Sequence, residues 1–148
     1  MNILKFKILF ILLIFILNDH SIGQQNDIVS GEWEFDYMEV KLHTNPSMES
    51  TVKKDENNYE LMLLEKGGIF VSQVKLNGEE ELKSGKWIII NDKIAIIETE
   101  KEMICNYEMP DESTLVLIPY KMKKVKNPRN KRDKKLYEQS AKIVYTRK

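Results

Sequence analysis

With a single cysteine, Cys105, in 148 residues, the chain can form no internal disulfide, so its stability must come from its own core even in an oxidising compartment. Histidine is almost as scarce. His20 and His43 are the only two, and no second histidine or cysteine stands ready beside His43 to share a metal. No serine or cysteine stands beside an evident base, and no glycine-rich phosphate loop is present, so the sequence points away from an enzyme and from any cofactor or metal. An excess of one charge is missing as well, with 23 basic residues matching 23 acidic ones, which argues against a nucleic-acid binder.

The one long apolar run lies at the amino terminus. Lys5 and Lys7 precede an unbroken stretch from Ile8 to Leu17, then polar Asn18, Asp19 and His20, then Ser21-Ile22-Gly23 with small residues where a signal peptidase reads. The run is well short of the roughly 20 residues needed to cross a membrane, so residues 1–23 are expected to be a cleaved signal peptide. No cysteine follows the run to carry a lipid. The expected product is exported, periplasmic or secreted, without stable membrane insertion. Residues 24–148 have the size of one domain and a net charge of about minus one, from 21 basic and 22 acidic residues.

Within that domain the pattern is short strands and turns. Trp33, Phe35 and Tyr37 alternate with Glu32, Glu34 and Asp36, as a strand with one buried side requires. Further strands are expected at Tyr59–Leu64, Ile69–Leu76, Trp87–Ile90, Ile94–Ile97, Met103–Met109, Leu115–Tyr120 and Ala141–Arg147, about eight in all. Tight turns are expected at Glu65-Lys66-Gly67-Gly68, Asn91-Asp92-Lys93 and Pro110-Asp111-Glu112-Ser113. These follow every second strand, and the other connections are longer or highly charged. In an up-and-down meander, alternate connections lie at opposite ends, so the sequence predicts an all-β, antiparallel up-and-down barrel with one closed and one open end.

A small barrel that starts Gly31-Glu32-Trp33 and carries Arg147 on its final strand resembles the small bacterial-type lipocalin-like domains of the calycin superfamily. The resemblance implies a barrel floor on which Trp33 sits with Arg147 packed across it, beside Gly31. Gly85-Lys86-Trp87 repeats the Gly-x-Trp spacing and is read as an independent strand start. The Thr-Asp-Tyr element of larger lipocalins is absent near Pro110, and so is a disulfide, so ligand chemistry does not carry over. Fatty-acid-binding proteins share the first-strand motif and a late arginine; on that pattern residues 44–58 form a helical lid. The export signal favours the lipocalin-like pattern.

Three features bear on function. Tyr37, Leu61, Leu76, Met103, Cys105 and Tyr145 are expected to line the barrel near its open end, as the walls of a small-molecule site or as filling. Residues 121–135 hold nine basic residues against one acid, Asp133, so Lys123, Lys124 and Arg129 are candidates for contacting an anion. Acidic runs at Glu79–Glu81 and Glu98–Glu102 are expected in loops at the same end, where they can pair with that basic stretch. Lastly, Trp87–Ile90, Ile94–Ile97 and Leu115–Ile118 are apolar on both faces, which calls for a cover. A short helix around Lys131–Ser140 or a second copy of the chain, as a homodimer, fits that need. The functional expectation is a binding protein for a small apolar or amphipathic molecule held in the barrel. The alternative is an interaction module of the cell envelope, with a filled barrel as scaffold.

Overall fold

The computed structural model describes residues 27–148, so the leader expected over residues 1–23 lies outside the described residues. Ten strands follow one another: β1 (Gly31–Leu42), β2 (Met48–Lys53), β3 (Asn58–Leu64), β4 (Ile69–Leu76), β5 (Glu79–Ile90), β6 (Lys93–Glu98), β7 (Glu102–Asp111), β8 (Thr114–Pro119), β9 (Lys123–Lys126) and β10 (Leu136–Arg147). All neighbours pair antiparallel, in the order β2-β1-β3-β4-β5-β6-β7-β8-β10-β9, and β1 also pairs with β10. That last pairing closes eight strands into a barrel. β2 and β9 remain outside the closed ring.

Strand content follows from local chemistry. Ile88-Ile89-Ile90 and Ile94-Ala95-Ile96-Ile97 are dominated by β-branched side chains, which pack well on a pleated surface. Asn91 and Asp92 between them take φ of 49° and 61°, the positive values a two-residue hairpin demands. Asn77 and Gly78 do the same between β4 and β5. That turn is therefore tight, although a longer connection was expected there. Glu79–Glu81 accordingly lie in β5, where Glu80 meets Lys75 at 3.8 Å and Glu81 meets Lys83 at 3.8 Å. Glu98 and Glu102 likewise belong to β6 and β7.

The floor is built by the first and last strands. Trp33 and Arg147 are direct partners across β1 and β10, and the guanidinium carbon lies 4.3 Å from the indole centroid. Trp33 is fully buried and donates its indole N–H to the Val29 carbonyl at 2.8 Å. Arg147 donates to three more carbonyls, of Ile28, Ser30 and Glu112, at 2.8 to 2.9 Å. Residues 27–29 end in a helical turn, which presents Val29 to the core as a plug. Gly31 is required here. Its φ is 140°, and a β-carbon would stand 2.6 Å from Arg147 Nη1. Above this floor Leu64, Phe70, Trp87, Ile89, Ile94, Leu115, Met62, Ile96, Leu117, Cys105 and Tyr145 form one buried core. These buried side chains pack the lower part of the barrel.

Two expectations are corrected. Residues 131–140 form no helix: Leu136 already begins β10, which runs 12 residues, because 136–139 pair with Lys123–Lys126 as a hairpin. Nor do residues 44–58 form a helical lid, since Met48–Lys53 pair with Tyr37–Leu42 as β2. Both segments had the length for a helix but not its apolar period, and each found backbone partners on a projecting strand.

Candidate functional site

A bulge makes the upper end of the molecule unlike a plain barrel. Phe35 faces Tyr145 across the ladder, but Tyr37 faces Val144, so Asp36 is an extra residue on β1. One inserted residue reverses the side-chain parity and increases local twist. Tyr37 therefore leaves the inner row of Trp33 and Phe35 for an outer row with Val144 and Val116. Met38 takes over the inner side and packs on the core together with Ile143.

Beyond the bulge, β1 and β10 outrun the barrel and gain new neighbours. β2 joins β1 along Tyr37–Leu42, and β9 joins β10 along Leu136–Gln139, giving a four-stranded sheet that rises from the barrel mouth. Its two faces differ sharply. One carries Lys41, Glu49, Glu39 and Lys142, held in ion pairs of 3.0 Å (Lys41 with Glu49) and 3.9 Å (Lys142 with Glu39). The other carries Val40, Leu42, Met48, Val52, Val125 and Ala141, and it continues downward through Met38 and Ile143 into the barrel core. The apolar face is concave. It forms a trough of about 330 Å³ lined by Val40, Leu42, Met48, Ser50, Val125 and Gln139, with Pro128, Arg129 and the end of β9 at Lys126 on one side and Glu49, paired with Lys41, on the other. A second, more polar cleft of about 400 Å³ lies at the tip of the sheet between His43, Thr44 and Asn45 and residues 135–138. There His43 Nε2 is 3.0 Å from Ser140 Oγ.

The basic hairpin that supplies the rim is shaped by its own side chains. Asn127, Asn130 and Asp133 each accept the backbone N–H two residues on, from Arg129, Arg132 and Lys135, at 2.9 to 3.2 Å. The Tyr137 hydroxyl also donates to Asp133 at 2.7 Å, and these bonds hold the Asp133 carboxyl below its ordinary range. None of the ion pairs among the described residues involves residues 121–135. Of the acidic residues expected to neutralise this stretch, Glu80 and Glu81 are paired with Lys75 and Lys83, Glu79, Glu98 and Glu102 stand in other strands, and Glu100, in the β6-β7 loop, joins no ion pair among the described residues. Its positive charge is left facing outward.

Inside the mouth sits one carboxylate. Glu60 accepts the Ser72 hydroxyl at 2.5 Å and the Tyr145 hydroxyl at 2.7 Å, and both hydroxyls belong to buried residues. Burial and, after it, the charge of Glu60 hold the Tyr145 phenol well above its usual range. Burial alone pushes the nearby Cys105 thiol up to about 11. Such a thiol is a poor nucleophile.

Of the six residues expected to line the barrel, Met103, Cys105 and Tyr145 do face inward and pack in the core. Leu61 pairs with Glu34 and Gln73 on the outer face, one position out of step with inward Met62. Leu76 shares the inner parity but lies at the rim, 57% exposed. Tyr37 points outward for the reason given. Of the three anion candidates, Arg129 lines the trough and Lys123 lies on its side of β9, opposite Gln139. Lys124 is paired with Glu138 on the other face. Val40, Leu42, Met48 and Lys126 went unnoticed in the sequence, although Val40, Leu42 and Met48, Ser50, Val52 do alternate in the period of two that marks a one-sided strand. Among the described residues there is no group of three or more acidic, histidine or cysteine side chains placed to hold a metal ion. The chain matches no protein-family model, and no curated protein shows significant similarity to it.

Proposed function

We propose that this chain is an exported, lipocalin-like binding protein of the calycin superfamily, without catalytic activity, that holds a small amphipathic acid in the trough above the barrel. The observation that carries the reading is the trough itself: a largely apolar floor continuous with the core, with Lys123 and Arg129 beside it in no ion pair among the described residues, while its acidic neighbour Glu49 is paired with Lys41. At about 330 Å³ the trough is at the lower bound of small-molecule sites, so it suits one short acyl chain and not a bulky ring system. Arg129 and Lys123, the β9 lysine on the same face as Val125, then contact the acid group at the rim. The family placement is supported by the closed eight-stranded barrel and by the stacked Trp33 and Arg147 floor with Gly31 beneath the guanidinium. On this reading the ligand sits in the sheet above the barrel and not inside it, where the sequence put it, since the trough is apolar and open while the lower barrel is packed with core side chains.

Calorimetry with decanoate and decanol tests this. Decanoate is expected to bind more tightly, and replacing both Lys123 and Arg129 with Gln should remove the preference while leaving decanol binding intact. Added salt should reduce the preference too, since exposed charges are screened beyond about 10 Å at 0.1 M. Val40→Asp should abolish binding of both. If neither probe binds, or if both bind equally well to Val40→Asp, the trough is not the site.

One observation favours the second reading, a protein-interaction module with the barrel as scaffold. The outer wall of β5, β6 and β7 exposes Ile88, Ile90, Ile97 and Ile104.

A further inference from the structure

We propose that the outer wall of β5, β6 and β7 is the interface of a two-fold symmetric homodimer, independent of whether the trough binds a ligand. The wall is apolar where water should be. Ile88, Ala95 and Ile104 are direct partners across the three strands and form one lateral row on the outer face. The row above it is Lys86, Ile97 and Glu102, and Ile90 extends the patch below. The isoleucines are 37% to 56% exposed. Neighbouring strands of this wall are each paired on both sides, so the patch is a closed surface and not a sheet edge open to extension.

The arrangement of charge selects the partner. Lys86 and Glu102 flank Ile97 symmetrically, one strand to either side, which separates them by about 10 Å at the usual strand spacing. Neither belongs to an ion pair among the described residues. A two-fold axis lying along β6 exchanges β5 and β7 between copies. Ile88 of one copy then meets Ile104 of the other, Lys86 meets Glu102, and Ala95 and Ile97 meet their own counterparts. Symmetry makes the Lys86–Glu102 contact twice, and the small Ala95 at the axis lets the two walls approach. Lys93, also on β6, would otherwise face itself. Its ammonium is instead drawn aside, 4.4 Å over the Tyr120 ring. Two sheets packed face to face with their strands nearly aligned are a standard geometry for such a contact. The wall is thus complementary to a second copy of itself in both shape of residue and sign of charge.

Sedimentation velocity on the protein purified from its expressing cells, over a range of concentrations, measures the association. A dimer is expected, and Ile104→Glu should leave only monomer. Lys86→Glu and Glu102→Lys should each weaken self-association about tenfold, because each sets two like-charge contacts against each other per dimer. The double variant restores both pairs with reversed sign and should return to the wild-type constant. Thermal midpoints close to wild type for these exposed positions keep a loss of association from being a loss of fold. A wild-type protein that stays monomeric overturns the proposal, as does a dimer indifferent to Ile104→Glu. A double variant no better than either single one overturns the two-fold arrangement.

Discussion

Gly31 shows how much one residue can be asked to do. Its φ of 140° and the 2.6 Å gap to Arg147 Nη1 exclude any side chain, so the first glycine of Gly-x-Trp exists to admit the last arginine. Gly31→Ala should cost about 1–3 kcal/mol through backbone strain and overpacking. Part of that cost should vanish in an Arg147→Ala background, which a urea-denaturation double-mutant cycle will detect as non-additivity. Trp33→Ala removes a fully buried indole and should cost about 3–5 kcal/mol by the same assay. Glu60 differs in kind, because its role is to satisfy others. Glu60→Leu leaves the Ser72 and Tyr145 hydroxyls without their acceptor, at about 1–3 kcal/mol for each buried group. Glu60→Gln keeps an acceptor oxygen and should be the milder change. Cys105 titrates as a reporter of burial. Below pH 9 its stabilising effect is complete; above 9 the unfolded thiol loses its proton while the folded one keeps it to about 11, so stability falls across that window. In Cys105→Ala the alkaline decline should begin near pH 10, where Tyr145, also raised by burial, takes over. A bulky maleimide should fail to label the folded wild type.

At the scale of the element, β1 and β10 each serve two structures in succession. Their lower halves close the barrel, and their upper halves form the core of the projecting sheet. The bulge at Asp36 is the joint between the two. Without the extra residue Tyr37 would stay on the inner side, Val40 and Leu42 would turn to the charged face, and the trough would lose its floor. In β5, Gly85 lies so close to β6 that a β-carbon would collide with the Ile97 carbonyl oxygen. That contact is with backbone and cannot be relieved by a rotamer change, so Gly85→Ala must push β5 from β6. About 1–3 kcal/mol of destabilisation is expected, with the melting midpoint as the measure.

At the scale of the whole molecule, closure depends on the final residues. The Arg147 backbone N–H binds the Ser113 carbonyl at 2.7 Å, and Lys148 binds the Glu32 carbonyl at 3.0 Å, beyond the side-chain bonds already described. A chain ending at Thr146 loses all of these along with the cation over Trp33. Its melting midpoint should drop on the order of 10 °C, read by circular dichroism. The turns beneath the barrel, between β3 and β4, β5 and β6, and β7 and β8, all gather at this floor, as their alternation along the chain predicted. The connections above do not divide as simply, because the Asn77-Gly78 turn is as tight as any below.

What the sequence determined by itself is the barrel: strand parity, turn residues with positive φ and the pairing of first with last strand are local or endpoint properties, and each can be read without knowing what lies across the ladder. Met103, Cys105 and Tyr145 were legible for the same reason, since their strands alternate without interruption. Tyr37 was not. A bulge is set by the register between two strands more than one hundred residues apart in sequence, and nothing around Asp36 announces it. The projecting sheet was hidden in the same way. β2 and β9 are short, polar segments that become strands only because β1 and β10 extend past the barrel and offer them an open edge, so the basic stretch was legible but the trough it borders was decided by tertiary structure alone.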